Sequence, residues 1–160
     1  SANIHILDAF RQSGLTQKNS SIQKIFAFLK KAKNTAFWVD KWHASAYYPT
    51  AHAVIACAGF ENDFVADSVE WLLKTQNADG SWGTYLSTAE ETAYALQALW
   101  FWNHKVAKIP RSVFKNGARW LTEHLDQPYP PLWIGKCLYN PQLVIRSAVI
   151  SALALTQQIV

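Results

Sequence analysis

The sequence predicts an all-α fold of roughly seven helices in a single domain spanning residues 1–160. Apolar residues recur at helical spacing along most of the chain, and capping residues or glycines stand where these segments end. No segment carries a competing strand pattern. Half of the residues are hydrophobic and 16% are charged, so the chain can bury a sizeable core.

Seven segments carry the helical pattern, and their ends follow the usual chemistry of helix termini. Gly14 and Gly59 close the first and the third, because glycine accepts the left-handed backbone of a C-terminal turn. Asn19 and Asn62 cap the second and the fourth, and Pro49 suits the first turn of the third. The expected helices cover residues 2–13, 20–33, 50–58, 62–75, 88–102, 111–125 and 141–158.

The octet Gln76–Gly83 (QNADGSWG) lies between the fourth and the fifth helix, and we name it the intact clasp. Its Asp79-Gly80 pair predicts a tight turn, because glycine reaches a positive φ without steric cost. The turn is expected to carry one exposed indole, that of Trp82, and the Gln76 amide is expected to bridge to a neighbouring helix end. The intact clasp therefore joins one helix to the next.

An internal repeat extends this pattern along the chain. Shifts of 42 to 44 residues superpose Trp82 on Trp38, Leu73 on Leu29 and Thr92–Ala95 on Thr50–Ala53, and Asn3–Leu7 fits the template of Thr92–Leu96. We name Lys30–Trp38 the eroded clasp. Helices rich in small residues also alternate with more charged ones. The sequence thus predicts a curved array of helix pairs, with the first, third, fifth and seventh helices inside.

Charge and cysteine content exclude several classes of protein. The formal net charge is +4 and the basic residues are scattered, which argues against nucleic-acid binding. Cys57 and Cys137 lack CxxC spacing, so we expect reduced thiols and a cytoplasmic protein. No signal peptide or membrane-spanning run is visible, although peripheral membrane contact stays open. The chain has no Met and begins inside an apolar periodic segment, so we expect a piece of a longer fold.

Four segments together resemble one family of enzymes. They are Gln76–Gly83, which has the pattern of a QW motif, and Asp40–Tyr48, Thr88–Leu96 and Leu132–Pro141. In this order they are similar to segments of the bacterial class II diterpene cyclases. These enzymes are relatives of copalyl diphosphate synthases and, more distantly, of squalene–hopene cyclases. The resemblance covers nearly the whole chain.

The resemblance implies an α/α toroid, a barrel of helix pairs, of which this chain supplies about half a ring. In the family, the middle aspartate of a DxDD motif protonates a polyprenyl chain, and the carbocation then closes rings in sequence. No DxDD occurs here. We therefore expect residues 1–160 to be the C-terminal half of one class II cyclase β-domain, with the N-terminal half of its own barrel as partner.

The same resemblance implies a hydrophobic prenyl substrate, either geranylgeranyl diphosphate or a prenylated aromatic acid of a meroterpenoid pathway. Protonation of an alkene requires no cofactor, and Mg²⁺ would enter only with a diphosphate substrate. The reaction would be of the isomerase or lyase type. The cation must meet a surface that stabilises it without quenching it.

The resemblance and the repeat together predict the site residues. Asn3 matches the family's asparagine that orients the acid. An aromatic face stabilises a cation and offers no nucleophile. The aromatic candidates are Trp42, Tyr47, Tyr48, Trp133 and Tyr139. Repeat position adds Glu90 and Tyr94, although an acid in the first turn of a helix also has the plainer explanation of the helix dipole. His52 fits either a base or a core histidine.

Two other interpretations remain. A protein prenyltransferase β-subunit shares the toroid, but it would need zinc held by an Asp, Cys and His set, and Cys57 and Cys137 offer no convincing arrangement. A non-catalytic helical scaffold is the third hypothesis. Asp63 and Asp67 imitate part of the metal-binding DDxxD of class I terpene synthases. Acids are favoured at a helix start in any case, so we expect no metal site.

Overall fold

The computed structural model describes residues 1–159, which form seven α-helices and one short β-hairpin. The elements are α1 (Ala2–Gln12), α2 (Ser20–Ala32), α3 (Tyr47–Cys57), α4 (Ala66–Lys74), α5 (Ala89–Lys105), α6 (Arg111–Glu123), β1 (Trp133–Ile134), β2 (Leu138–Tyr139) and α7 (Gln142–Thr156). The all-α prediction is confirmed. The hairpin, in which Trp133 pairs with Tyr139 and Ile134 with Leu138, was not predicted.

The helices form two layers, as the alternation of composition predicts. In the inner layer α1 packs on α3, α3 on α5 and α5 on α7. In the outer layer α2 packs on α1, α4 on α3 and α5, and α6 on α5 and α7. The middle inner helices are buried on nearly all faces, and their alanines allow close approach of neighbouring backbones. The inner layer therefore positions the starts of α3 and α5 side by side.

Helix α5 is the longest at 17 residues and occupies the centre of the inner layer. Thr88 caps it, because the Thr88 hydroxyl oxygen accepts the backbone N–H of Glu91 at 3.1 Å. Its first turn carries two buried acids, Glu90 and Glu91. Among residues 1–159 no helix, α5 included, has both the length and the apolar character that crossing a membrane requires.

Two helix starts differ from the predicted ones, and side-chain hydrogen bonds explain both. Asn62 does not cap α4: its side chain accepts the N–H of Gly59 at 2.8 Å and closes the turn after α3, so α4 begins only at Ala66. Helix α3 begins earlier, at Tyr47, where the Ser45 hydroxyl oxygen accepts the Tyr47 N–H at 3.1 Å. Pro49 then lies in its first turn, where a missing N–H costs nothing.

The intact clasp holds three helices together. Trp82 is fully buried, so the predicted exposed indole is wrong. Its Nε1–H donates to the carbonyl of Leu72 in α4 at 2.7 Å, and its backbone N–H donates to the hydroxyl of Thr92 in α5 at 2.9 Å. The Gln76 amide donates to the carbonyl of Val113 in α6 at 3.0 Å, as the bridging prediction requires.

The eroded clasp repeats the same bonds one helix pair earlier. The Trp38 indole donates to the Leu29 carbonyl at 2.9 Å, and the Trp38 backbone N–H donates to the Thr50 hydroxyl at 3.0 Å. The repeat is therefore real at the level of hydrogen bonds. The structural counterpart of Leu29 is Leu72 rather than Leu73, because the indole bond spans 9 residues in the eroded clasp and 10 in the intact one.

Candidate functional site

Six aromatic rings meet where the inner helices start. Helices α1, α3 and α5, the loop before α3, and strand β1 each contribute to the group. We name it the inner-helix cluster: His5, His43, Tyr48, His52, Tyr94 and Trp133. Backbone hydrogen bonds hold strand β1 against the loop before α3. The Ala44 N–H donates to the Leu132 carbonyl at 2.8 Å, and the Ile134 N–H donates to the Trp42 carbonyl at 3.0 Å.

Tyr48 is at the centre of the inner-helix cluster. Its ring centroid lies 4.9 Å from that of His43, 5.1 Å from Trp133 and 5.3 Å from Tyr94. Its hydroxyl also lies 3.1 Å from Nε2 of His5. Burial, together with the charge of Asp40 and then of Glu90, raises the pKa of Tyr48. The cluster is thus a surface of neutral aromatic rings, which is suited to a cation.

Glu90 lies beneath this surface, with 1% of the residue exposed. Its Oε1 atom accepts the indole N–H of Trp133 at 2.7 Å and the hydroxyl of Tyr94 at 3.2 Å, and lies 3.2 Å from Nε2 of His43. Its Oε2 atom is buried and has no hydrogen-bond partner among the described residues. Glu90 therefore holds three rings in place through a single oxygen.

The tautomer of His43 follows from its other ring nitrogen. Nδ1 lies 3.1 Å from the backbone nitrogen of Ser45 and 3.2 Å from its carbonyl oxygen. The Ser45 N–H is always present and points at Nδ1, so a proton on Nδ1 would face another proton. Nδ1 therefore carries the lone pair and Nε2 the proton. Nε2–H then donates to Glu90. Sequence reasoning missed His43, whose one signal was its place among the aromatic residues of the loop before α3.

His52 is held as a neutral imidazole. Its Nδ1–H donates to the Tyr48 carbonyl at 2.7 Å, which leaves the lone pair on Nε2. Burial lowers the pKa of His52 to about 4. The ring of His5 lies 4.8 Å away, and burial also lowers the pKa of His5. His5 was missed as a site residue, although the repeat aligned it with Tyr94 and His52.

Tyr94 contacts the same carboxylate from its own helix. Burial, followed by the charge of Glu90, raises the pKa of Tyr94, so its hydroxyl stays protonated and donates to Oε1. Its ring lies 5.4 Å from His52. The structure thus brings together five of the residues predicted from the sequence: Tyr48, His52, Glu90, Tyr94 and Trp133.

Three predicted aromatic residues lie apart from this group. Tyr47 points toward the outer layer, where it packs 4.7 Å from the ring of Trp71 and lines a groove of about 610 Å³. Trp42 is 53% exposed and Tyr139 is 46% exposed. Tyr139 lies 6.4 Å from Trp133 across the hairpin, so it and Trp42 flank the inner-helix cluster rather than belong to it.

Asn3 lies in the first turn of α1 and is partly exposed. Its side chain makes no hydrogen bond within residues 1–159. In the repeat, Asn3 stands where Thr50 and Thr92 stand, and each of those threonines accepts a backbone N–H from a clasp tryptophan. The repeat thus gives Asn3 a position equivalent to that of a clasp threonine.

Glu91 follows Glu90 and serves the clasp instead. Its Oε1 accepts the backbone N–H of Thr84 at 2.9 Å and the Thr84 hydroxyl at 2.8 Å, and its Oε2 accepts the Thr88 hydroxyl at 2.7 Å. Both oxygens have partners. Glu91 is thus a structural acid that ties the loop after Trp82 to the start of α5.

The described residues contain no group of three His, Cys, Asp or Glu side chains placed to hold a metal ion. Asp67, singled out by its spacing from Asp63, pairs with Lys33 at 2.5 Å. Asp63 lies before α4 rather than on it. The two acids thus do not form the face that the i, i+4 spacing suggested.

The sequence of this chain matches one known protein family over most of its length. Residues 2–127 match the family model of the squalene–hopene cyclase C-terminal domain. The chain belongs to this family. It is 39% identical to the type B diterpene cyclase of Mycobacterium tuberculosis, over 99% of this chain and 32% of that protein. It is also 39% identical to an ent-copalyl diphosphate synthase of a Streptomyces species, over 99% and 33%.

A solved structure of the family has the same fold. The ent-copalyl diphosphate synthase from Streptomyces platensis matches with a TM-score of 0.82 and 36% identity, over 97% of this chain and 33% of that one. The resemblance to class II cyclases is confirmed, and the prenyltransferase alternative is not favoured. The chain spans about a third of the length of the relatives that it matches.

Proposed function

We propose that this chain is the C-terminal half of a class II terpene cyclase β-domain that cyclises a polyprenyl chain after protonation. The carrying observation is the inner-helix cluster, a surface of neutral rings backed by one buried carboxylate. The substrate is geranylgeranyl diphosphate or a prenylated aromatic acid. Relatives named as diterpene cyclases and copalyl diphosphate synthases support this chemistry.

The reaction begins with an acid outside this chain. In the proposed mechanism the aspartic acid of a DxDD motif, on the N-terminal half of the barrel, gives its proton to one carbon of a terminal alkene. The π electrons of the next alkene form a ring bond to the cationic carbon, and the charge moves along the chain. Loss of a proton then restores a double bond. Each cationic stage requires a dry, non-nucleophilic surface.

The residues of this chain supply that surface. The faces of Tyr48, Tyr94 and Trp133 attract a cation through their quadrupoles, by about 2 kcal/mol where water is excluded. Trp42, Tyr47 and Tyr139 are kept as substrate contacts of lower rank, because they lie outside the inner-helix cluster.

The proposed partner is the N-terminal half of the same barrel. The two outermost inner helices, α1 and α7, leave apolar side chains uncovered, among them Ile6, Leu143 and Ile150. In a closed toroid neighbouring inner helices would cover these positions. Protonation requires no cofactor, and Mg²⁺ would accompany a diphosphate substrate. We place the enzyme in the cytoplasm, with peripheral membrane contact through its apolar substrate.

The test is a cyclisation assay of this chain assembled with the N-terminal half of its barrel. Geranylgeranyl diphosphate and a prenylated aromatic acid are supplied separately, and products are identified by mass spectrometry. A cyclic product from either substrate supports the proposal and selects the substrate class. Absence of cyclic product from both contradicts it and leaves the non-catalytic scaffold.

Asn3 provides a second test within this chain. We propose that its side chain orients the acid, and Asn3→Ala should then lower kcat by roughly tenfold or more, as loss of a positioning contact does, without loss of fold. Asn3→Thr is the matched control, because it restores the residue that the repeat places at Thr50 and Thr92. Full activity in Asn3→Thr would show that Asn3 serves a clasp and not the acid.

A further inference from the structure

The buried carboxylate of Glu90 has a feature that the packing of the rings does not explain. Three donors converge on Oε1, whereas Oε2 is buried without any partner among the described residues. An unsatisfied buried oxygen destabilises a fold, and more so when it belongs to a charged group. Such groups are rare in native proteins and call for an explanation. Glu91, one residue later, shows that this chain can satisfy both oxygens of a buried acid.

No formal positive charge balances Glu90 locally. His43 is the one basic side chain that contacts it within residues 1–159, and the Ser45 N–H occupies Nδ1 of that ring, which leaves His43 neutral. Tyr94 and Trp133 are neutral donors. The inner-helix cluster is therefore backed by a negative charge that hydrogen bonds hold in place but no cation cancels.

The location of this charge suits the proposed chemistry. Glu90 is 1% exposed, whereas Tyr48, His52 and Trp133 are only partly buried. The carboxylate thus lies behind the rings and cannot contact a substrate in front of them. In a medium of low dielectric constant, a fixed charge acts over several ångströms far more strongly than it does in water. A fixed charge that needs no reorganisation is the most effective form of electrostatic stabilisation.

We propose that Glu90 is a positioning residue that fixes the rings of His43, Tyr94 and Trp133 and adds an uncompensated negative charge behind them. This charge strengthens the attraction of the inner-helix cluster for a carbocation. Glu90 neither gives nor takes a proton in this role. The inference rests on the proposed function, since it assigns a role within the cationic stages of that reaction.

Glu90→Gln tests the charge with little change of shape. Glutamine keeps an acceptor oxygen for the Trp133 indole and removes the negative charge. Glu91→Gln is the matched control. It removes an equally buried charge on the next residue, but the partners of Glu91 are Thr84 and Thr88, which follow the intact clasp. Glu90→Asp keeps the charge with a shorter side chain. Circular dichroism and thermal unfolding establish that each variant is folded.

The measurement compares two probes on the assembled enzyme. One is a prenyl analogue in which a quaternary ammonium nitrogen replaces a carbon that becomes cationic. The other is its neutral carbon isostere. The wild-type enzyme should bind the ammonium probe more tightly than the isostere. Glu90→Gln should reduce this preference by about tenfold or more, the factor that 1.36 kcal/mol represents, and should release more products of early termination. Glu91→Gln should leave the preference unchanged, and Glu90→Asp should retain most of it.

The other outcomes contradict either the proposed function or the inference about Glu90. If the wild-type enzyme cyclises no prenyl substrate, the proposed function fails. If it cyclises substrate but shows no preference for the ammonium probe, the inference fails and the function stands, whether or not Glu90→Gln folds. An unchanged preference in Glu90→Gln contradicts the inference. An equal loss in Glu91→Gln does so too, because it would reveal a general effect of removing a buried acid.

Discussion

The helix pair α2–α3 and the helix pair α4–α5 share a frame of two tryptophan hydrogen bonds and differ in the side chains at the start of the inner helix. In both, a tryptophan indole donates to a leucine carbonyl near the end of the outer helix, at 2.9 Å and 2.7 Å. In both, the tryptophan N–H donates to a threonine in the inner helix, at 3.0 Å and 2.9 Å. The frame fixes where each inner helix starts.

The residues on either side of that threonine carry the difference. Two positions before it, the first pair has Tyr48 and the second has Glu90. Two positions after it, the first pair has His52 and the second has Tyr94. Tyr48, His52 and Tyr94 belong to the inner-helix cluster and Glu90 lies beneath it, although the threonines between them point to the clasps. The repeat therefore supplies equivalent positions around one site, and the side chains at those positions can vary without disturbing the architecture.

The clasps themselves differ in how tightly they are enclosed. Gly80 has φ +97°, and a Cβ there would lie 2.6 Å from the backbone of Asn116 in α6, so the intact clasp is pressed against the next outer helix. In the eroded clasp the positive φ, 38°, falls on Thr35, which is exposed. The intact clasp is thus the more rigid of the two.

Of the two tryptophan truncations, Trp82→Ala should destabilise the fold more. We expect it to lower the free energy of unfolding by about 3–5 kcal/mol, because the side chain is fully buried and its neighbours cannot collapse into the space. Trp38→Ala should cost less, since the exposed turn before it can relax. Urea denaturation of the chain measures both. Equal losses would mean that the two clasps are equally rigid.

The pH dependence of stability separates His52 from its counterpart Tyr94. Burial lowers the pKa of His52 from 6.5 to about 4. As the pH falls, the unfolded chain therefore binds a proton at this imidazole before the folded chain does. The stability that neutral His52 contributes is complete above pH 6.5 and is lost as the pH falls toward 4. The loss is about 3 kcal/mol, because one pKa unit corresponds to about 1.4 kcal/mol.

A substitution at each of these two positions tests the assignment. His52→Tyr introduces the residue that the second helix pair has at this place, and it should flatten the slope of stability between pH 6.5 and 4. His5, whose pKa burial also lowers, leaves a smaller slope of the same sign. Tyr94→Phe should keep the wild-type slope, because Tyr94 does not titrate in this range. A wild-type slope in His52→Tyr would assign the acid sensitivity to another group.

Local signals in the sequence were sufficient for the architecture. Glycines, caps and apolar spacing predicted the seven helices, and the alternation of helices rich in small residues with more charged ones predicted the layers. The hairpin was missed because strands of two residues are too short to show an alternating pattern. The start of α4 was missed because the Asn62 side chain accepts the N–H of Gly59, three residues earlier in the chain. Sequence spacing cannot distinguish this bond from a helix cap.

The site was predictable where the repeat reached it and, for Trp133, where the family resemblance did. Tyr48, Glu90 and Tyr94 followed from equivalent positions, and His5 could have followed from the same alignment. His43 could not, because it joins the site through a bond to Glu90 that spans 47 residues. Glu90 was predicted as a site residue, but its burial beneath the rings of Trp133 and Tyr94 was not, since only the three-dimensional packing decides which side chain covers which.

The smallest expected effect concerns the strained turn of the eroded clasp. Thr35 is a β-branched residue with a positive φ, a conformation that destabilises the fold by about 1–3 kcal/mol. Thr35→Gly should relieve that strain and lose part of the gain to the greater freedom of glycine in the unfolded chain, for a net stabilisation of about 0.5–1 kcal/mol. Thr35→Ala retains a Cβ and should not stabilise. If Thr35→Ala stabilises the chain as much as Thr35→Gly does in urea denaturation, the strain does not come from the backbone, and the two clasps differ only in burial.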